Sequence, residues 1–286
     1  MSGRKKPLHI PPGAPGHPRL PGTETGPRGY KSKEDGPEPR TEPRSKPRRE
    51  GKPGPAAARS HRVDFLYEDE DLVFVDKPEG LPVIAAEGSR AKSLYDIVTE
   101  RIRQKNPKGR AAVVHRLDRE SSGVLVFAKS AKAKTRLMSR WDEMARERLY
   151  VALVEGEFGE AEGRLESWLA EAGPSRMRMA EPGERGALKA VTHYRVLGAG
   201  KGYSLLELSL ETGRKHQIRV QLAGEGHPIA GDERYGSHRD PLGRLCLHAS
   251  LLVLEQPTTG EILRVESPVP PGFAAALKGP GKSPRG

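Results

Sequence analysis

The densest chemistry in this chain lies in His115-Arg116-Leu117-Asp118-Arg119-Glu120-Ser121-Ser122-Gly123. One carboxylate, Asp118, stands between two guanidinium groups and is followed by two hydroxyls and a glycine. Flanking cations favour the ionised carboxylate, which is the form that nucleophilic attack requires. Apolar runs on both sides, Ala112–His115 and Gly123–Ala128, read as short strands that hold the ends of this hinge. A salt-bridged surface turn has the same composition, so the residues alone leave both readings open.

A second polar cluster is Glu211-Thr212-Gly213-Arg214-Lys215-His216-Gln217-Ile218-Arg219. It follows a strand-like run and leads into Val220 and Leu222. If the segment is helical, Lys215 and Arg219 stand one turn apart on one face, where they could hold a phosphate or a buried carboxylate. A solvated charged face is the ordinary alternative. No Walker-type lysine loop, dinucleotide glycine fingerprint or HExxH spacing occurs. His115-Arg116-Leu117-Asp118 lacks the other kinase elements. The histidines, His216, His227 and His248 among them, show no metal-ligand spacing. No cofactor or metal is therefore expected.

The elements that must position these clusters follow from apolar periodicity. Val63–Tyr67 and Leu72–Asp76 read as strands around a turn. Ser93 caps a helix to about Lys105, with Leu94, Ile97, Val98 and Ile102 on one face. Ser130 caps a second helix, whose Leu137, Met138, Trp141 and Met144 form a stripe expected to be core. Strands are expected at Leu149–Val154, Arg164–Leu169, Leu188–Leu197, Ser204–Leu210, Leu245–Leu254 and Ile262–Glu266. Many strands and few helices, not strictly alternating, predict an α+β fold with a mixed, mostly antiparallel central sheet flanked by helices.

Charge and proline are uneven. Residues 1–60 hold 14 Lys and Arg against 6 Asp and Glu, and so carry eight of the chain's eleven net positive charges. They also hold 13 of its 26 prolines. Such a segment cannot bury enough apolar surface to offset ordering entropy and reads as a disordered basic tail. It would hold phosphates non-specifically or serve only as a solubiliser. Residues 61–276 form the expected catalytic domain and 277–286 a second short tail. The basic balance favours a polyanionic partner. The single cysteine, Cys246, sits in a core-like strand and suits a reducing, cytoplasmic setting. No apolar run spans a membrane, no secretory signal is present, and a monomer is the default expectation.

Taken in order, the two clusters resemble the signatures of the RluA-type RNA pseudouridine synthases: HRLDR-[TS]-SG, with Ser121 where threonine is commoner, and TGR-x-HQ-[IL]-R. Further motifs agree. Leu72–Leu81 is similar to that family's strand and Lys-Pro-x-Gly turn, with Asp76 where asparagine is frequent. Tyr150–Gly156 is similar to its Tyr-x-Ala-x-Val-x-Gly strand. Gly226–Asp232, Tyr235-Gly236 and Leu247-His248-Ala249 match later segments. The resemblance covers roughly residues 63–275. It departs at Gln256-Pro257, where the family usually has His-Pro, a change expected to be harmless. Several relatives also carry an N-terminal S4 RNA-binding domain, whose composition residues 1–60 do not have.

The resemblance implies the pseudouridine synthase fold with an active-site cleft, and isomerisation of a uridine in structured tRNA or rRNA by base flipping. Asp118 corresponds to the nucleophile, Arg219 to its arginine partner and Tyr150 to the active-site tyrosine. Leu247 corresponds to an apolar residue against the base, and Arg116 to the residue that fills the space of the flipped nucleotide. Lys77 and Arg214 are expected phosphate contacts. A non-catalytic RNA-binding or ribosome-assembly factor on the same fold is the competing reading, although every catalytic position is filled. A base-releasing glycosidase is a third, which free uracil among the products would reveal.

Overall fold

The computed structural model describes residues 62–89, 91–173 and 175–279. The N-terminal tail expected at 1–60 and residues 280–286 of the expected C-terminal tail lie outside them. The described residues build an eleven-stranded sheet. Its strands are β1 (Asp64–Glu68), β2 (Leu72–Lys77), β3 (Ala112–Val113), β4 (Ser122–Ala128), β5 (Ala145–Glu155), β6 (Glu162–Glu171), β7 (Met177–Ala180), β8 (Leu188–Gly200), β9 (Tyr203–Leu210), β10 (Leu247–Glu255) and β11 (Ile262–Glu266). Along the sheet they run β1-β2-β4-β10-β5-β9-β8-β6-β7, with β3 added to β4 and β11 to β10. Only β4 and β10 pair in parallel. The sheet is thus mixed and mostly antiparallel.

Helices cover it at intervals. They are α1 (Leu94–Lys105), α2 (Ala131–Ser139), α3 (Trp141–Met144), α4 (Gln217–Gly224) and α5 (Pro271–Ala276). Ser93 starts α1 with a reciprocal cap: its hydroxyl faces the Asp96 N–H, and the Asp96 carboxylate accepts from the Ser93 N–H at 2.9 Å. This satisfies backbone donors that the first helical turn leaves free. Leu94, Val98 and Ile102 of α1 and Leu137 of α2 then pack on Val73, Val75 and the wholly buried β4. Ile218 and Leu222 of α4 and Phe273 of α5 close a second core over β5, β9 and Cys246.

The second helix is not the continuous element that its stripe predicts. The backbone breaks at Arg140, and α3 sets off in a new direction. Leu137 and Met144 are buried as core, but Met138 is 57% exposed and Trp141 half-buried. Strand β7, not among the strands expected from the sequence, pairs with β6 from Trp168↔Ala180 to Glu171↔Met177.

Three registers matter for chemistry. Gly123 lies beside Ala249 across the parallel pair, and Ala249 lies beside Tyr150 across the antiparallel one. Leu247 pairs with Ala152, so it projects on the same pair of strands. The end of the polar hinge and the β5 tyrosine are therefore locked two strands apart. The contact at Gly123 is too close for any side chain. Its φ is +113°, and a Cβ would meet the Ala249 carbonyl oxygen at 2.1 Å.

Candidate active site

Residues 114–121 connect β3 to β4 and carry Asp118 into a cleft of about 980 Å³. A smaller chamber of about 70 Å³ shares the walls at Asp118, Tyr150 and His216. Arg116, Asp118, Tyr150, Arg214, Arg219 and Leu247, six residues singled out in the sequence, all line that chamber.

Asp118 is held from the far side. Arg219 donates from Nη1 to Asp118 Oδ2 at 2.9 Å. The same guanidinium donates from Nε and Nη2 to the two carboxylate oxygens of Asp232, at 2.7 and 2.8 Å. Arg219 and Asp232 are both buried. Burial alone would lower the arginine's pKa, but Asp232 and Asp118 more than offset it and push it up. The guanidinium is thus fixed by a two-point fork on Asp232, which leaves Nη1 directed to Asp118. Its plane lies 5.1 Å from the Tyr235 ring centroid.

The other oxygen, Asp118 Oδ1, faces His216 Nε2 at 3.7 Å. His216 sits at the start of α4 in the left-handed region, φ 51°. Its Nδ1 lies 2.7 Å from the Tyr235 hydroxyl, which accepts from the Met177 N–H at 2.9 Å. Burial lowers the histidine's pKa, against the pull of Asp118. One carboxylate oxygen is therefore bound tightly while the other stays open to a substrate.

Tyr150 projects from β5 beneath the cleft. Burial, opposed by the Arg148 charge, pushes its phenol up to about 12. The hydroxyl remains protonated at any physiological pH. Trp141 stacks on His115 with ring centroids 4.5 Å apart and lines the cleft together with Ile84 and Met138.

Lys77 is not the phosphate contact expected of it. The side chain is 0% exposed, and Nζ donates to the carbonyls of Pro78, Arg119 and Ser121 at 2.9, 3.0 and 2.6 Å. Burial, opposed by Asp118 and Glu120, pushes the ammonium down to about 7. The Gly80 N–H also donates to the Arg119 carbonyl at 2.8 Å, and Arg119 Nε returns a bond to the Gly80 carbonyl at 3.0 Å. The Lys-Pro-x-Gly turn thus clamps the backbone of the Asp118 loop from behind.

Lys215 is likewise displaced from the expected pair with Arg219. The helix begins only at Gln217, after the left-handed His216, and Lys215 approaches Glu171 at 3.3 Å instead. Arg214 stays at the cleft, with Nε donating to the Lys189 carbonyl at 3.1 Å. Gln256 takes an ordered place away from the cleft: its carbonyl accepts the N–H of Thr259 at 2.7 Å, and its amide reaches Asp69 and Asp71. Sequence reasoning assigned no site role to Asp232, Tyr235 or His216. The signal for Asp232 was slight, an acidic residue at the start of the charged run Asp232-Glu233-Arg234 after Gly231. Among the described residues no cluster of acidic, histidine or cysteine side chains could hold a metal ion, and no helix is long and apolar enough to cross a membrane.

Comparison with known proteins agrees with this arrangement. Residues 71–224 match the family model for RNA pseudouridylate synthase. Ribosomal large subunit pseudouridine synthase D of Nitrosomonas europaea is 40% identical over 234 residues, covering 77% of this chain and 67% of that protein. Its Neisseria meningitidis namesake is 36% identical over 220 residues, covering 73% of this chain but only 58% of its own length. The solved structure of human RNA pseudouridylate synthase domain containing 4 superposes with a TM-score of 0.62 at 27% identity, covering 75% of this chain and 91% of that one. With its family model, its relatives and its fold in agreement, the chain belongs to the RNA pseudouridylate synthase family.

Proposed function

We propose that this chain isomerises a uridine of large-subunit ribosomal RNA to pseudouridine, with Asp118 as the reacting carboxylate. The observation that carries this is the Asp118 pair itself: Oδ2 bound to the buried Arg219 at 2.9 Å, with the carboxylate lining a chamber walled by Tyr150 and Leu247. The choice of ribosomal RNA rests on the names of the relatives from Nitrosomonas and Neisseria.

The target nucleotide leaves its stack, at a cost of a few kcal/mol that is smallest in loops. Arg116, exposed at the mouth, offers a guanidinium plane to the space it vacates. The C1′–N1 bond breaks with its electron pair going to N1 of the uracil. Asp118 either adds to C1′ or accepts the C2′ proton on the way to a glycal. The detached ring stays between Tyr150 and Leu247, turns, and forms the new bond from C5 to C1′, as the Asp118–C1′ bond breaks or, on the glycal route, as Asp118 returns the proton to C2′. The C5 proton is then lost and N1 is protonated, so atoms and charge balance with no redox step. Tyr150 serves through its ring and as a neutral hydrogen-bond donor, since a phenol pushed up to about 12 is a poor base near neutrality.

The test is Asp118→Asn with a large-subunit ribosomal RNA transcript. The variant is expected to bind the RNA with unchanged affinity and to form no pseudouridine. Near-normal turnover would overturn the mechanism.

A further inference from the structure

Among the described residues, Arg148 Nε stands alone as a buried side-chain nitrogen or oxygen with no hydrogen-bond partner. Its side chain is 11% exposed, and the nearest carboxylate to Nη1 is Asp142 at 4.0 Å, itself 86% exposed. Nη2 donates to the carbonyls of Leu210 and Glu211 at 3.2 and 3.1 Å. Those neutral acceptors orient the fork without cancelling its charge. A guanidinium does not shed its proton, so a full positive charge sits largely out of water with no close anion. Leaving a buried charge unpaired is costly.

The position explains what the charge is for. Arg148 and Tyr150 are separated by one residue on β5, so both project from one face of the sheet about 7 Å apart. Both line the cleft that holds Asp118. Gly213 lies over the guanidinium, and a Cβ there would come within 3.1 Å of Nη1. Its missing side chain keeps that donor clear. A ribose separates a base from its flanking phosphates by several ångströms. With a uracil on Tyr150, a phosphate oxygen falls within reach of Arg148.

We infer that Arg148 is the seat of a phosphodiester flanking the uridine that enters the Asp118 chamber. This rests on the cleft being a uridine site, as proposed above. Nη1 donates to a non-bridging phosphate oxygen, and the RNA supplies the anion that the free protein lacks. Arg148 is then a substrate-binding residue that sets how deeply the nucleotide seats.

Binding without turnover tests this. Trp141, in the cleft wall, reports occupancy by fluorescence once the chain's other tryptophan is removed as Trp168→Phe. The probes are pentauridylate and two analogues in which the linkage on one or the other side of the central uridine is a neutral methylphosphonate. In the Trp168→Phe background, one of the two analogues is expected to bind about tenfold more weakly than the parent. Adding Arg148→Met should weaken parent binding by a similar factor, erase discrimination against that analogue, and reduce the log–log salt slope by about 0.7. Arg148→Lys should recover part of the affinity, because it restores charge but not the fork. A merely structural arginine would leave the analogue discrimination intact in Arg148→Met, which would overturn the assignment. Should the substitutions unfold the protein, equal binding of all three probes by the Trp168→Phe protein would overturn it as well. Absence of any pentauridylate binding would sink the uridine reading and this inference together. Binding that ignores both the linkage and Arg148 would sink the inference alone.

Discussion

Asp232→Asn separates the two jobs done by Arg219. In the native protein Asp232 accepts from Nε at 2.7 Å and from Nη2 at 2.8 Å, while Asp118 accepts from Nη1. Asparagine keeps the shape and one acceptor oxygen. It sets an amide NH2 against one of the two guanidinium donors and removes the negative charge. Breaking a buried ion pair costs about 3–5 kcal/mol, and the surviving hydrogen bond puts this substitution near the lower end. The catalytic cost is separate. Without the second anchor the guanidinium plane is free to turn, and a misplacement of about 1 Å at a reacting group costs about a hundredfold in rate. Asp232 lies behind Arg219 and lines neither the cleft nor the chamber. RNA affinity should therefore stay put while kcat falls. Urea unfolding followed by circular dichroism gives the stability loss, and pseudouridine formation on a large-subunit transcript at saturating RNA gives kcat. A folded variant with turnover within twofold of the parent would refute the argument that Asp232 positions the pair. A parallel loss of RNA affinity would refute the claim that its role is confined to the rear of the site.

Three further outcomes are expected. Gly123→Ala should prevent stable folding, since the added Cβ would lie 2.1 Å from a backbone oxygen at a φ of +113°; a normal thermal midpoint would contradict this. Lys77→Met should lower unfolding free energy by about 1–3 kcal/mol through unsatisfied carbonyls, and lower turnover, yet leave the salt dependence of RNA binding unchanged, because Lys77 touches the loop and not the solvent. His115, half-buried against Trp141 and accepting the Val126 N–H at 3.1 Å, is pushed by desolvation from 6.5 down to about 3. The folded state therefore binds fewer protons than the unfolded chain between those values. The stability this supports is complete above about 6.5 and drains away as pH falls toward 3. His115→Gln keeps an acceptor and should flatten that acid limb in denaturant titrations at successive pH values.

Different parts of the molecule were legible to different degrees, for physical reasons. Strands β2 and β4 announced themselves as unbroken apolar runs, because both are covered on both faces. Helix α1 was readable from Ser93 and its four apolar positions, which is local chemistry. Strand β7 was not, because at four residues on a sheet edge it is too short for its Met-Arg-Met alternation to stand out. The break at Arg140 was hidden for another reason: the stripe from Leu137 to Met144 keeps helical spacing while the chain turns, so that Met138 and Trp141 go to the cleft wall. At the site, residues in dense polar motifs were easy to single out, since polar side chains between apolar strands need an explanation. Residues whose role is long-range were not. Lys77 reads as a surface charge until two carbonyls from a loop some forty residues away, with that of Pro78, surround it. Asp232 acquires meaning only when Arg219 is brought against it, and Arg148 only when its Nε is found buried without a partner.

The unequal fates of the two arginines bear on how an anionic nucleophile can work inside a polyanionic substrate. A phosphodiester drawn into the cleft brings negative charge toward Asp118, which by itself would disfavour the ionised carboxylate. Arg219 counters this from behind, but it is shared: one positive charge serves both Asp118 and Asp232, so that triad alone carries a net negative charge. The free site is therefore short of positive charge at the nucleophile and carries an excess at Arg148. In the assignment proposed above, the phosphate of bound RNA pairs with Arg148, two residues from Tyr150 on β5, while Oδ1 of Asp118 faces His216 at 3.7 Å. An arrangement with the charges exchanged, a paired Arg148 and a free Arg219, would attract the phosphate to the nucleophile itself. On that assignment, the placement of the Arg148 guanidinium on β5, one strand-repeat from the tyrosine, keeps the backbone of the RNA and the reacting carboxylate apart.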